Sequence, residues 1–157
     1  MSLCQTTLKV LYCELETQSL EHWMWIMEQL EISTRGRQAF HDITAEVQAI
    51  VSRSGVQDGT CLVFCPHTTA GLTINENWDA SVQHDIGVGL DAISPQRAEY
   101  RHGEGNSPAH IKSSLVGASQ HVIIAEGKLV LGRWQGIYLA EFDGPRRRKV
   151  LVKVMAG

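Results

Sequence analysis

Between Asp42 and Asp79 the hydrophobic repeat of this chain changes period, and that change restricts what the chain can fold into. Across Asp42–Ser54, Ile43, Val47, Ile50 and Val51 recur on one helical face, with Asp42 or Thr44 available as cap and Gly55 as a stop. Thr60–Cys65 then reads as a buried strand, and Gly71–Asn75 as a shorter one. A second helix is expected over Trp78–Ile93, with Asn77 as cap and Val82, Ile86, Leu90 and Ile93 inward. Gly87 and Gly89 weaken it by about 1 kcal/mol each relative to alanine. Ser107-Pro108 opens a third helix in cap-then-proline order, closed by Gly117.

The C-terminal part reads as strands alone. His121–Ala125 and Lys128–Leu131 flank a tight turn at Glu126-Gly127, and Trp134–Phe142 and Lys149–Met155 flank Asp143-Gly-Pro145, so a β-meander is expected. Near the N-terminus Thr6–Leu15 reads as a strand. Ser19–Ile32 carries Leu20, Trp23, Met24, Met27 and Leu30 at helical spacing, a helix expected to pack on the sheet or a neighbouring subunit, or to act as a substrate lid. Strands mixed with helices, followed by strands alone, define an α+β class: one domain over residues 1–157, a mixed or antiparallel sheet and three to four helices.

A chain of 157 residues can bury a core without staples. Its net charge of -3 argues against a general nucleic-acid binder. The one basic run, Arg146-Arg-Arg-Lys149, reads as a solvated turn and strand start, with an anion site as the alternative. Cys61 and Cys65 share a strand face, Cys4 and Cys13 lie on opposite faces of another, and no metal-knuckle spacing occurs. Buried free thiols, no secretory signal and no apolar run long enough for a membrane span lead to the expectation of a soluble, cytoplasmic protein.

Chemistry concentrates in two places. The run His67–Asp79 holds an imidazole, Asn75, Glu76 and Asp79 directly after a strand; His102–His110 holds two more histidines around a glycine-containing loop. His67, His102 and His110 can supply three neutral imidazoles to zinc or a similar divalent ion, or they can serve as acid/base or simply satisfied side chains. Glu76 is expected beside His67 as a general base, Asp85 near the inward face of its helix in need of a partner, and Asp79 either in the site or in a helix cap. Gly103–Ser107, with Asn106, precedes a helix start that can hold an anion together with Lys112 and Ser114. Trp134 and Gln135 offer a stacking face and an amide.

At these residues the chain resembles the YjbQ-like family. Four blocks carry the likeness: His67-Thr-Thr-Ala-Gly-Leu-Thr-Ile-Asn-Glu-Asn-x-Asp79, Gly105-Asn-Ser-Pro-Ala-His-Ile-Lys-Ser-Ser-Leu-Val-Gly117, Gly132-Arg-Trp-Gln-Gly-Ile137 and Glu141-Phe-Asp-Gly-Pro-Arg146. The resemblance implies an α+β fold, a homotrimer and a secondary thiamine-phosphate synthase activity, in which hydroxymethylpyrimidine diphosphate is joined to thiazole phosphate with release of pyrophosphate. It places the family's motif positions on His67, Asn75, Glu76, Asp79, Asp85, His102, His110, Ser114, Trp134, Gln135 and Glu141. Arg133 departs from the family's usual threonine, and residues from about Gln18 to Ser33 look like an insertion. The resulting expectation is a metal-supported enzyme acting on a small phosphorylated substrate, with magnesium if that substrate is a diphosphate. The alternatives are a metal-dependent hydrolase and a non-catalytic trimer that binds a metal or anion.

Overall fold

In the computed structural model, residues 9–11 and 25–157 are described. They form nine strands and three helices: β1 (Lys9–Leu11), β2 (Trp25–Ser33), β3 (Ala39–Asp42), α1 (Thr44–Ser54), β4 (Asp58–Phe64), β5 (Ala70–Glu76), α2 (Ala80–Ile93), α3 (Ser107–Val116), β6 (Ser119–Ala125), β7 (Lys128–Leu129), β8 (Gln135–Glu141) and β9 (Arg147–Ala156). Two sheets result, a large one in the order β1-β2-β9-β4-β6-β7 and a small one in the order β3-β8-β5. Every pairing is antiparallel. The α+β class expected from the sequence is the one observed, with three helices among the described residues.

Period-two alternation builds the large sheet. On β9, Val150, Val152 and Val154 are fully buried, and Cys61 and Val63 do the same on β4. They pack with Leu30 and Ile32 of β2, Leu72 of β5, and Ile137 and Leu139 of β8, while α1 contributes Val47, Ile50 and Val51 to the same core. The small sheet is covered on both faces. Ile137 and Leu139 face that main core, whereas Ala140 and Phe142 join Leu90 of α2 and Ala109 of α3 in a second cluster. Burial on both sides explains the nearly continuous apolar run of β8. No helix among the described residues is long and apolar enough to cross a membrane.

Three expectations are corrected. The helix over Ser19–Ile32 is, from Trp25 onward, the strand β2, paired residue by residue with β9 from Trp25↔Met155 to Ser33↔Arg147. Glu28, Leu30 and Ile32 alternate inward there, and the long ladder with β9 overrides the helical spacing of the apolar residues. Residues 19–24 lie outside the described residues. The meander is also broken: β8 and β9 belong to different sheets, so Asp143-Gly-Pro145 is a crossover between sheets rather than a hairpin turn. Glu126 (φ 52) and Gly127 (φ 70) do form the tight β6–β7 turn, both with the positive φ that such hairpins need. Finally, α2 begins later than expected. Asp79, not Asn77, caps it by accepting the Ser81 amide at 2.8 Å, and Ile93 is exposed rather than inward. At α1, Asp42 accepts the Thr44 amide at 2.9 Å, although Ile43 holds the formal cap position.

Two glycines with opposite surroundings give a test of the packing. A Cβ on Gly71 would lie 2.7 Å from the Gly117 carbonyl oxygen and 3.0 Å from Val116 Cγ1, because the end of α3 rests on β5 there. A Cβ on Gly89 would meet nothing within 4 Å. Gly71→Ala is expected to lower stability by roughly 1–3 kcal/mol through overpacking, and Gly89→Ala to raise it by about 0.5–1 kcal/mol through helix propensity. Urea unfolding of the two variants beside the wild type checks both signs.

Candidate functional site

The loop before β5, the end of β8, the start of β9 and the start of α3 meet at one end of the small sheet. Their meeting point is a buried ion pair. Glu141, the last residue of β8, is fully buried, and Arg148 is 4% exposed near the start of β9. The guanidinium forks onto the carboxylate: Nε donates to Oε2 at 2.7 Å and Nη2 to Oε1. Thr34 Oγ1 donates to Oε2 at 3.0 Å, and the amides of Phe142 and Asp143 donate to Oε1 at 3.0 and 2.8 Å. Arg148 also reaches Thr69 Oγ1 at 2.9 Å. Burial pushes the Glu141 carboxyl up, but Arg148 and these donors outweigh it and hold it below the usual carboxylate range.

This finding overturns the reading of Arg146–Lys149 as wholly solvated. Arg148 is in phase with Val150, Val152 and Val154, so strand alternation carries it inward. Arg146 stays at the surface, where Nη2 donates to Asp143 Oδ2 at 2.6 Å. The same Asp143 oxygen accepts Asn106 Nδ2 at 3.0 Å, and Asn106 Nδ2 also reaches Glu104 Oε2 at 3.2 Å. Burial raises the Asp143 carboxyl, but Asn106 and Arg146 outweigh it and leave it lowered. Asn106 stands at the head of α3, so this chain of bonds fixes the helix start against β8 and the crossover.

Of the three histidines, His102 and His110 come together, with ring centroids 5.0 Å apart edge to face. His67 has a different task. Its Nε2 accepts the Lys149 amide at 2.8 Å, which requires the ring proton on Nδ1 and occupies the lone pair a metal would need. Burial, then Arg148, lowers its pKa. Among the described residues of one chain, no three His, Cys, Asp or Glu side chains converge as a metal-binding group. The three-histidine set therefore does not fit as expected within a single subunit.

The other expected residues fall elsewhere. Glu76 ends β5 while His67 precedes its start, so roughly 20 Å of strand separates them and Glu76 cannot act beside His67 in one chain. Glu76 lies with Asn75, Trp134 and Gln135 at the far end of the small sheet. There its carbonyl accepts Gln83 Nε2, and the Asn75 side chain accepts the Glu76 amide at 2.8 Å. Gln135 Oε1 accepts the Gly132 amide at 2.7 Å, and Trp134 meets Trp78 edge to face at 5.4 Å with Arg133 4.8 Å above its ring. Asp79 serves as a helix cap, and Ser114 Oγ bonds the His110 carbonyl at 2.9 Å within α3. Asp85 is exposed beside His84 rather than inward. Lys112 turns away from the Gly103–Ser107 loop, with Nζ donating to Gln38 Oε1 at 2.7 Å and to Asp91. Burial pushes the Cys61 thiol to about 12 and the Cys65 thiol to about 11, which favours the protonated form; both are free.

The fold and this polar end define a small α+β protein with two packed sheets and a cluster of imidazoles, amides and paired charges at one sheet end. Residues 28–157 match the family model described as UPF0047 protein YjbQ-like, and the chain belongs to that family. It is 51% identical over 131 residues to the UPF0047 protein YugU of Bacillus subtilis, covering 83% of this chain and 99% of that one. It is 54% identical over 125 residues to a UPF0047 protein of Methanocaldococcus jannaschii, covering 80% and 91% respectively. Among solved structures, a YjbQ/UPF0047-family protein of Clostridium acetobutylicum aligns with a TM-score of 0.79 at 57% identity, covering 80% of this chain and 98% of that one. A YbjQ-like protein of unknown function from Sulfolobus solfataricus aligns with a TM-score of 0.83 at 32% identity, covering 87% and 100%. The family match begins at residue 28, within the segment that looks like an insertion.

Acid sensitivity follows from the shifted groups. Burial lowers His41 as well as His67, so below the ordinary histidine value of about 6.5 the unfolded chain takes up protons that the folded one refuses. Stability is complete above that value and falls as pH drops toward the lowered folded pKa values. A second loss follows below the ordinary glutamate value of about 4.3, as Glu141 is forced to protonate. His67→Gln is expected to flatten part of the first loss and leave the second in place, as read from urea midpoints between pH 7 and pH 3.

Proposed function

We propose that the chain is a subunit of an enzyme that binds a small phosphorylated substrate at the α3 end of the small sheet, with transfer chemistry of the thiamine-phosphate synthase type. The observation that carries this reading is the side-chain set assembled around Asn106. Two adjacent imidazoles, the Arg146 guanidinium and the positive end of α3 provide for an anion. Of the first-turn amides, those of Ala109 and His110 go to the Asn106 carbonyl and Pro108 has none, which leaves that of Ser107 for a ligand. Beside them, Asn106 Oδ1 is buried without a donor among the described residues. A buried acceptor without a partner is costly, and a ligand amine or hydroxyl satisfies it. An aminopyrimidine bearing a diphosphate offers the amine for Asn106 and the anion for the groups beside it.

In such a transfer the bond between the pyrimidine methylene carbon and the diphosphate oxygen breaks, and a bond forms from that carbon to the thiazole nitrogen. Pyrophosphate leaves with the electron pair. In this reading His102 and His110 donate hydrogen bonds to the departing oxygens, and Arg146, shared with Asp143, adds to their support. Glu141, Arg148, Thr34, Thr69 and His67 are positioning residues that hold the four segments together.

A divalent ion is a second reading, favoured by the proximity of the His102 and His110 rings. It needs further donors, which a neighbouring subunit of a homotrimer can supply. The large sheet leaves Phe64 (39% exposed) and Ile123 (61% exposed) on an outer face that none of the described helices covers, a surface suited to such assembly. A trimer would show three times the 17.4 kDa chain mass in light scattering. A cytoplasmic setting accords with the two buried free thiols.

The test is thiamine-phosphate formation and pyrophosphate binding in wild type, His110→Ala and His84→Ala, with metal content measured on each. His110→Ala is expected to lose roughly 10²- to 10⁴-fold in rate and to weaken pyrophosphate binding, while His84→Ala, exposed on α2, matches wild type. Equal rates and equal pyrophosphate affinity in His110→Ala would contradict the assignment. Near-stoichiometric metal that vanishes in His110→Ala supports the metal reading, and full activity in metal-free protein removes it.

A further inference from the structure

The opposite flank of α3 carries a second polar site. Lys112 follows His110 by two residues, about 200° around the helix axis, so their side chains leave α3 in different directions. Lysine is rarely buried, yet Lys112 is only 5% exposed. Its ammonium is held by Gln38 Oε1 at 2.7 Å and by Asp91, which uses two of its three N–H donors. Gln38 is itself fixed, since Nε2 donates to the Gly87 carbonyl at 3.1 Å and to Asp91 Oδ2 at 3.3 Å.

These groups line a cleft of about 370 Å³ between the α2–α3 connection and the start of β3. Arg37 stands on its wall and forms no ion pair with another described residue. Gln96 adds an amide, and Pro108, Ala109 and Phe142 make an apolar floor. The charge balance decides what fits. Asp91 neutralises Lys112, and Arg37 leaves the cleft with one uncompensated cation. A remaining ammonium donor, a guanidinium fork and an apolar floor suit an anionic head on a compact apolar body.

We propose that this cleft is a second binding site, separate from the His102–His110 end, for a small organic phosphate with an apolar ring or chain. Arg37 takes the phosphate in its fork, Lys112 donates its third N–H, and the ring lies on Pro108 and Phe142. This inference does not rest on the proposed reaction, because the Lys112 ammonium is bonded to Gln38 and Asp91 rather than to Asn106, His102 or His110.

Titration of the full-length protein with phenyl phosphate, followed by amide NMR, tests it. Saturable shifts are expected at Arg37, Gln38, Ser94 and Gln96, with inorganic phosphate, which lacks the ring, binding roughly tenfold more weakly. Arg37→Gln, an exposed position that leaves the fold undisturbed, should weaken this site roughly tenfold without changing shifts at His110. Lys112→Met should abolish it, and Arg37→Gln keeps the test decisive if burying methionine there prevents folding. Shifts confined to residues 102–110, no saturable shift anywhere, or equal binding by Arg37→Gln would each overturn the proposal.

Discussion

The buried Glu141–Arg148 pair ties the small sheet to the large one. Two charges removed from water are costly, and a low-dielectric interior repays them only when every donor and acceptor is used. Here five donor contacts converge on one carboxylate, from Arg148 Nε and Nη2, the Thr34 hydroxyl and two amides. Glu141 ends a strand of the small sheet and Arg148 belongs to the large one. The pair therefore fixes how the two sheets meet at the end where the polar site forms. The crossover Phe142–Arg146 is pinned from within, since the amides of Phe142 and Asp143 both point at Glu141.

From that anchor the site follows by short steps. Asp143, the second residue past Glu141, receives Arg146 and Asn106, and Asn106 heads the helix that carries His110. His67 is drawn in from another direction by the Lys149 amide, next to Arg148. Thr69 meets Arg148 with its side chain and the Phe142 amide with its carbonyl, at 3.1 Å. The exposed polar side chains are thus set on element ends, where they can project, while buried polar groups behind them suppress alternative arrangements. The small sheet supplies rigidity because both of its faces are buried.

Sequence periodicity made α1, β4, β5, α3 and the β6–β7 hairpin legible, because each combines a regular apolar run with a nearby boundary such as Gly55, Gly117 or Glu126-Gly127. It failed at β2, where Trp23, Met27 and Leu30 satisfy a helical repeat by coincidence while Leu30 and Ile32 also satisfy a strand repeat. Only the ladder with β9, far away in the chain, settles the matter. The candidate site was legible as residue types and not as a constellation. Glu76 and His67 are close in sequence and distant in space because the extended strand β5 lies between them. Arg148 was missed because a basic run ordinarily faces water. Its phase with Val150, Val152 and Val154 was the available signal.

If this buried pair positions the α3 end proposed to bind an anion, a double-mutant cycle on Glu141→Gln and Arg148→Met reports the dependence. Unfolding free energy and pyrophosphate affinity should be read on all four proteins. Each single variant is expected to lose roughly 3–5 kcal/mol, because each leaves a buried group without its partner, and the double variant should lose far less than their sum. Affinity should fall in every folded variant, as Asp143 and Asn106 lose their support. Additive losses, or full affinity with the pair removed, would show that the pair does not position this end of the molecule.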